Sequence, residues 1–459
     1  MPPVIYPTLE RPSQITMQIS LSDHFTYPKL IRFVMPSILM MIFTSIYGVV
    51  DGLFVSNFVG KTPFAAVNLI FPLFIVLGAL GFMMGTGGTA IVAKTLGEGK
   101  RELANRYFSL LVYATFIGGV AITILGFVFL RPVAVLLGAE GEMLDNCVTY
   151  GSFLLPGMPF FMLQNLFQSF FITAEKPKLG LFVTVAAGCT NMVLDVLLVG
   201  VISLGLPGAA LATSISQMVG GVLPLFYFAA KNTSLLRLGR TSFYGRMLAF
   251  TCVNGSSELM SNIAASVITM LYNFKLLEIA GEDGVAAYGV VMYVSFIFAA
   301  IFIGYAIGSA PLISYNYGAQ NQAEMKNLFR KSGILMASLG IVMTALAILL
   351  AGPLSAIFVG YNDSLLALTA NGMTIYAVSF LFSGFNIFGS SLFTALNNGQ
   401  ISAVISFLRS LIFPGVLIMI LPALLGMNGI WLTAVTTDAL AFAVTAAFVI
   451  FNRKRYRYM

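Results

Sequence analysis

Long uncharged apolar runs are the feature that most limits how this chain can fold. Residues 110–130 and 411–425 contain no Asp, Glu, Lys or Arg, and only 9% of the 459 residues are charged. A soluble domain carries charge on roughly a quarter of its residues, whereas 58% of this chain is hydrophobic. Runs of about twenty apolar residues cross a bilayer as helices and are too continuous for the alternating strands of a membrane barrel. The sequence therefore predicts an all-α polytopic membrane protein.

The charged residues between these runs predict the orientation. Of the 24 Lys and Arg residues, 20 lie at the termini and in even-numbered loops; the odd-numbered loops hold Lys61, Arg131 and Lys275, and Arg409 lies inside the eleventh span. By the positive-inside rule, both termini are expected to face the cytoplasm of a multi-pass plasma-membrane protein. Bases spread over loops in this way do not indicate a nucleic-acid partner. The twelve predicted spans are 30–56, 63–93, 107–130, 148–173, 180–201, 207–230, 247–274, 285–313, 332–351, 365–395, 402–424 and 428–451.

An internal repeat relates the two halves of the chain. Position n matches position n+221 without a gap at many Gly and Pro residues, for example Pro132 with Pro353 and Gly208 with Gly429. Because six helices are duplicated and six is even, both halves enter the membrane in the same direction, related by a pseudo-two-fold axis along the membrane normal. The predicted divisions are a cytoplasmic segment 1–27, an N-lobe 28–230 with helices 1–6, a cytoplasmic linker 231–246, a C-lobe 247–451 with helices 7–12, and a basic cytoplasmic tail 452–459.

Acidic residues inside spans are costly and are functional candidates by default. Asn191 and Asp195 are four residues apart and share one helix face, and Thr213 lies on the next helix. These oxygen ligands suit Na⁺, and the same carboxylate could instead carry a proton. A polar clamp that only joins the helices is the structural alternative. Asp51 is a further acid on the first span, where Pro36 is expected to bend the helix.

The second half has its own intramembrane charges. Glu258 lies in an unusually polar stretch of the seventh span, and Arg409 supplies a positive charge with which it could pair. The pair could be structural, or the acid could receive a cationic substrate. Asp438 is a further acid, at the start of the twelfth span, and Asn165 and Gln168 on the fourth span could extend either polar network.

Several motifs, in their order along the chain, resemble the multidrug and toxic compound extrusion (MATE) family, especially its bacterial and archaeal members. The resemblance covers essentially all twelve spans. The motifs are Pro36 followed by Ile46-Tyr-Gly-Val-Val-Asp51-Gly-Leu-Phe, Gly87-Gly-Thr-Ala through Gly97-Glu-Gly-Lys-Arg-Glu-Leu-Ala104, Ala174-Glu-Lys-Pro177, Asn191-Met-Val-Leu-Asp195, Gly205-Leu-Pro-Gly208-Ala-Ala-Leu-Ala212-Thr213 and Ser314-Tyr-Asn-Tyr-Gly318.

The resemblance implies a monomeric antiporter that exports organic cations, such as drugs and dyes, across the lipid bilayer in exchange for Na⁺ or H⁺. It implies no enzyme activity and no cofactor other than the coupling ion. In the family, the residues matching Asp51, Asn191, Asp195 and Thr213 form a cation site, the proline matching Pro36 bends the first helix, and an acid matching Glu258 serves in some members.

Two other functions remain open at this point. A lipid-linked oligosaccharide flippase of the same superfamily would also have two lobes, but its cleft should carry several Arg residues for a pyrophosphate, and only Arg409 lies in a span. An intramembrane aspartyl protease would need two aspartates about a hydrogen bond apart. That interpretation leaves the duplication unexplained.

Overall fold

The computed structural model describes residues 19–59 and 61–459, except for the side chains at positions 49–57, 61 and 64. All regular secondary structure in this part of the chain is helical, and it contains no strand. The helices are α1 (Tyr27–Phe58), α2 (Lys61–Gly97), α3 (Arg101–Leu136), α4 (Gly141–Leu154), α5 (Met158–Thr173), α6 (Pro177–Leu194), α7 (Leu206–Ala229), α8 (Gly245–Gly318), α9 (Gln322–Leu349), α10 (Ala351–Val359), α11 (Asp363–Ala377), α12 (Phe380–Ala395), α13 (Gly399–Phe407), α14 (Phe413–Leu425) and α15 (Met427–Tyr456).

Twelve membrane crossings can be traced through these helices. Within the described residues, nine helices are long and apolar enough to cross a bilayer, and α11 with α12 forms a tenth span bent by 50°. The 74 residues of α8 would extend about 110 Å if straight, so α8 crosses twice. The remaining span is α4 with α5. The predicted all-α architecture is therefore confirmed.

Breaks within single spans are the main differences from the predicted helices. The predicted spans 247–274 and 285–313 are two helices that run together in α8 and are separated by a kink at Gly281, where φ is 58°, so the break is shorter than the loop expected at 275–284. Pro156 lies in a short 3₁₀ turn that divides the predicted span 148–173 into α4 and α5. Two spans contain π-helical segments, at Asp195–Val201 and Leu408–Ile412.

The predicted repeat of 221 residues appears in the backbone. Gly205 (φ 62°, ψ −136°) immediately precedes α7, and Gly426 (φ 57°, ψ −135°) immediately precedes α15. Few residues other than glycine adopt such positive φ angles. Gly208 and Gly429 then occupy the first turn of the two helices. The equivalent positions confirm two structurally related lobes, α1–α7 and α8–α15, which we call the first and second lobes.

The lobes meet closely along one half of α2. Near its end, Gly97 lies so close to α8 that a Cβ atom would overlap the carbonyl oxygen of Tyr315, and Gly318 lies equally close to the carbonyl of Lys94. Farther from that end of α2, Gly255 of α8 lies so close to α2 that a Cβ atom on the glycine would overlap the carbonyl oxygen of Met83. We call this region, near the termini and the predicted even-numbered loops, the basic side.

A short N-terminal segment also joins the lobes on the basic side. Residues 19–26, which we call the strap, precede α1, and Leu21 and Phe25 in it are completely buried. Glu175, between α5 and α6, accepts hydrogen bonds from the strap, and so does Glu324 in the first turn of α9. The strap therefore contacts both lobes.

Candidate functional site

A cavity that we call the first cavity has a volume of about 560 Å³. Its wall comes mainly from the first lobe and includes the α2 positions from Val67 to Phe82, the half of α2 that precedes the close contact with α8. Aromatic side chains such as Phe71, Phe74 and Phe161 cover much of it, and the described part of its wall has no Asp, Glu, Lys or Arg. The cavity is therefore an apolar and aromatic chamber.

Amide groups interrupt this apolar wall in one region. Gln168 of α5, Asn191 of α6 and Gln217 of α7 are buried and line the first cavity. The side-chain oxygens of all three, and the Asn191 nitrogen, have no hydrogen-bond partner among the described residues. Leaving a buried polar atom unpaired costs about 1–3 kcal/mol. Three oxygens that can still accept are therefore available to a cation or to a donor group inside the cavity.

The predicted cation ligands are brought together in part. Asn191 and Thr213 lie on the wall of the first cavity, and the Thr213 hydroxyl donates to the Ala209 carbonyl at 3.1 Å, which leaves its oxygen lone pairs available. Asp195 is completely buried, at the point where α6 changes to a π-helical segment. Such segments are rare and occur often at functional sites. Asp51 belongs to α1, but its side chain lies outside the described residues.

The other predicted residues of the first lobe have different environments. Asn165 lines the first cavity beside Gln168, and its amide nitrogen donates to the Gly78 carbonyl at 3.3 Å. Pro36 lies within α1, which continues through it. The neighbouring Ser37 and Ile38 pack against Gly304 of α8. Pro36 therefore belongs to the contact between the lobes, and the bend expected there stays a prediction.

The second cavity is smaller, about 340 Å³, and more polar. Glu258 of α8 and Arg409 of the second π-helical segment both line it. Hydroxyl groups make up much of the remaining wall, including Ser295, Ser390 and Thr394. In contrast to the first cavity, it therefore offers charges of both signs.

Arg409 forms its ion pair with Asp438 and not with Glu258, the partner that the sequence analysis had left open. The Nε atom of Arg409 lies 3.0 Å from Oδ1 of Asp438, on the neighbouring helix α15. Asp438 also accepts hydrogen bonds from the Ser383 hydroxyl and, at 3.2 Å, from the amide of Asn386. Asp438 is therefore the buried anchor of Arg409, and no described residue forms an ion pair with Glu258.

The sequence analysis missed several polar residues of these sites. Gln217 lies four residues after Thr213 on α7, so the helical repeat alone places both on one face. Ser383 and Asn386 are three residues apart on α12 and contact Asp438 together. Uncharged polar residues at helical spacing from one another within a span were therefore the available signal. No cluster of three His, Cys, Asp or Glu side chains suited to a metal occurs in the described part of the chain.

Comparisons with known proteins agree with this architecture. The sequence is 23% identical to the multidrug export protein MepA of Staphylococcus haemolyticus over 430 residues, covering 93% of each chain. It is 25% identical to the protein of that name in Staphylococcus saprophyticus, covering 88% of this chain and 87% of the relative. A solved structure of an outward-facing multidrug resistance MATE family transporter of the MOP superfamily has a TM-score of 0.88 and 20% identity, covering 94% of this chain and 96% of that chain.

A family model also matches the chain. The MatE model matches residues 36–197, in the first lobe, and residues 259–419, in the second. The two matches together span well over half of the sequence and repeat the division seen in the fold. The chain therefore belongs to the MatE family.

Proposed function

We propose that the protein is a multidrug exporter that moves organic cations out of the cell in exchange for Na⁺ or H⁺. The observation that carries this proposal is the first cavity. It is an aromatic chamber whose described wall has no basic side chain, and three of its amide oxygens accept no hydrogen bond from any described residue. Aromatic faces attract organic cations, and amide oxygens can accept from or coordinate them. The multidrug export proteins to which the chain is similar support this substrate class.

The coupling ion is proposed to bind beside the first cavity. Asp195 supplies a carboxylate, Asn191 and Thr213 supply neutral oxygens, and Asp51 on α1 completes the proposed set. The complete burial of Asp195 supports this assignment, because a carboxylate at membrane depth is costly unless it serves an ion or a proton. Na⁺ would use all of these oxygens, whereas a proton would need only a carboxylate.

Export is proposed to proceed by alternating access. The lobes touch at Gly97 and Gly318 on the basic side, while the first cavity lies along the other half of α2. By the positive-inside rule the basic side is cytoplasmic, so we assign this structure to an outward-facing state of a monomer in the plasma membrane. The segment 231–246 would then connect N-lobe 28–230 to C-lobe 247–451 in the cytoplasm.

The number of arginines favours export over lipid-linked sugar transport. A pyrophosphate headgroup requires several basic groups, and Arg409 is the one Arg or Lys among the described residues that line the two cavities. Its charge is already opposed by Asp438. A protease would need a second aspartate beside Asp195, whereas the duplicated lobes and the family membership both favour transport.

Efflux from proteoliposomes tests the proposal. The purified full-length chain is reconstituted with a fluorescent organic cation, and a Na⁺ gradient or a pH gradient is imposed separately. We expect one of the two gradients to drive efflux and the other to have no effect once the membrane potential is clamped. Efflux no faster than from protein-free vesicles, under both gradients, would overturn the proposal.

A further inference from the structure

The second cavity holds two opposite charges that do not neutralise each other. Glu258 and Arg409 both line its wall and are near enough to interact electrostatically. They form no ion pair within 4.0 Å, however, and the Glu258 carboxylate receives no hydrogen bond from any described residue. A carboxylate in such surroundings is costly unless a positive group approaches it. Glu258 is therefore an open position for a cationic group.

Arg409 offers a position for an anionic group. Asp438 holds it through Nε alone, at 3.0 Å, and the acceptors of Asp438 are satisfied by Arg409, Ser383 and Asn386. The two terminal nitrogens of the guanidinium have no partner among the described residues, and 28% of the Arg409 side chain remains exposed. A guanidinium fixed in this way can bind a carboxylate through two parallel hydrogen bonds.

We propose that the second cavity is a binding site for zwitterionic organic compounds. The ammonium end of the ligand contacts Glu258, its carboxylate contacts the terminal nitrogens of Arg409, and Asp438 acts as a positioning residue. This inference rests on the proposed function, because it names a further substrate class of the exporter. The first cavity, with no charged residue on its described wall, serves permanent cations instead.

The dimensions and the remaining wall agree with such a ligand. A volume of about 340 Å³ is at the lower end of the range for small-molecule sites, and it holds a compound with one aromatic ring between its charges. Hydroxyl groups of Ser295 and Ser391 on the wall can donate to or accept from the polar ends of the ligand.

Two probes that differ by a single charge test the inference. The first is the inner salt para-(trimethylammoniomethyl)benzoate, and the second is its methyl ester, which keeps the ammonium but loses the carboxylate. Binding of each to the purified full-length protein is measured by titration calorimetry. We expect Arg409→Gln to weaken binding of the inner salt by about tenfold or more and to change binding of the ester less than about threefold. Glu258→Gln should weaken binding of both probes at this site.

Matched variants separate recognition from folding. Arg131→Gln makes the same change at an exposed residue, whose side chain is 62% accessible, and should leave both affinities unchanged. Because Arg409→Gln leaves Asp438 buried without its ion-pair partner, the double variant Arg409→Gln/Asp438→Asn removes both charges together and should lose the inner salt while keeping its folded elution profile. Arg409→Lys keeps the positive charge but lacks the two terminal nitrogens of the guanidinium. It should therefore recover part of the affinity for the inner salt.

The outcomes distinguish this inference from the proposed function. If the wild-type protein exports the ester but does not bind the inner salt, or if the Arg409 variants bind it with wild-type affinity, the zwitterion site is overturned and export stands. If neither probe nor any fluorescent cation is exported, the proposed function fails as well. Selective loss of the inner salt in both the single and the double variant supports the site.

Discussion

Gly97 and Gly318 make the same contact with each other's helix from opposite directions. A Cβ on Gly97 would overlap the carbonyl oxygen of Tyr315, and a Cβ on Gly318 would overlap that of Lys94. Each carbonyl belongs to the residue three positions before the partner glycine, and both glycines and both carbonyls are separated by 221 positions. Such reciprocity is the signature of a two-fold contact. The pseudo-symmetry axis therefore passes between these two helix ends.

Enlarging Gly97 should open the contact on the basic side. In Gly97→Ala the new methyl group meets a backbone oxygen that cannot rotate away, and overpacking of this kind costs typically about 1–3 kcal/mol. We expect the population to shift toward the state in which the lobes separate there. Spin labels at positions 106 and 330, both exposed on α3 and α9, should report longer distances between the lobes.

A glycine in open space provides the control for this change. A Cβ atom added to Gly118 of α3 would have no neighbouring atom within 4 Å, so Gly118→Ala should leave the distance distribution unchanged. Wild-type distances in Gly97→Ala and Gly318→Ala would mean that the contact tolerates the methyl group and does not determine the conformation.

The coupling assignment predicts the effect of Asp195→Asn. The amide has almost the same shape as the carboxylate but can neither titrate nor supply a negative ligand. Since hydrogen bonds to a charged group contribute roughly 1.5–3 kcal/mol, gradient-driven efflux should fall by about tenfold or more while thermal stability changes little. Asp145→Asn, at a side chain that is 73% exposed, is the matched control. Wild-type efflux by Asp195→Asn would instead favour a polar clamp between α6 and α7.

The spans and the repeat could be predicted because each depends on many residues. About twenty apolar residues are needed for every crossing, and paired Gly and Pro residues fix the offset of 221. Helix breaks that depend on a single residue were harder to predict. The two helices of α8 are separated by a kink at Gly281 rather than by the expected loop 275–284, because one positive φ angle is enough to break the helix.

The candidate site was predicted less completely, because helix rotation is not encoded in any single span. Asn191 and Thr213 could be joined through their spacing and the short turn between their helices. Charge alone allows Arg409 to pair with either Glu258 or Asp438, and the structure shows Asp438 as its partner. Arg409 and Asp438 lie on neighbouring antiparallel helices on the two sides of the turn at Gly426, so comparable depth in the membrane was the available signal.

Replacing Pro36 should affect turnover more than binding. Alanine restores the backbone N–H that proline lacks, and an interior proline costs a helix about 3 kcal/mol. Because Ser37 and Ile38 pack against Gly304, a straighter α1 should change the contact between the lobes rather than the first cavity, whose α1 residues begin at Met41. Equilibrium binding of a cationic dye and its transport rate are compared in one Pro36→Ala preparation, with Pro353→Ala in the first turn of α10 as the control. Unchanged binding and transport would reduce Pro36 to a packing role, and loss of both would assign it to the pocket.

The strap should stabilise the closed contact on the basic side, because two buried or partly buried acids hold it from different lobes. Glu175 accepts from the Leu21 amide at 2.7 Å, and Glu324, which is 4% exposed, accepts from the Phe25 amide at 3.0 Å. Glu324→Ala removes the acceptor and leaves the Phe25 amide unpaired, at a cost of about 1–3 kcal/mol. We expect faster hydrogen exchange in residues 19–26 and a longer distance between the spin-labelled lobes, with Glu102→Ala on the exposed first turn of α3 as the control.

Glu324→Gln keeps one acceptor oxygen and should give an intermediate exchange rate. If exchange increases in the strap while the distance between the lobes stays at its wild-type value, the strap is only a covering segment, and direct helix contacts such as that of Gly97 with Gly318 hold the lobes together.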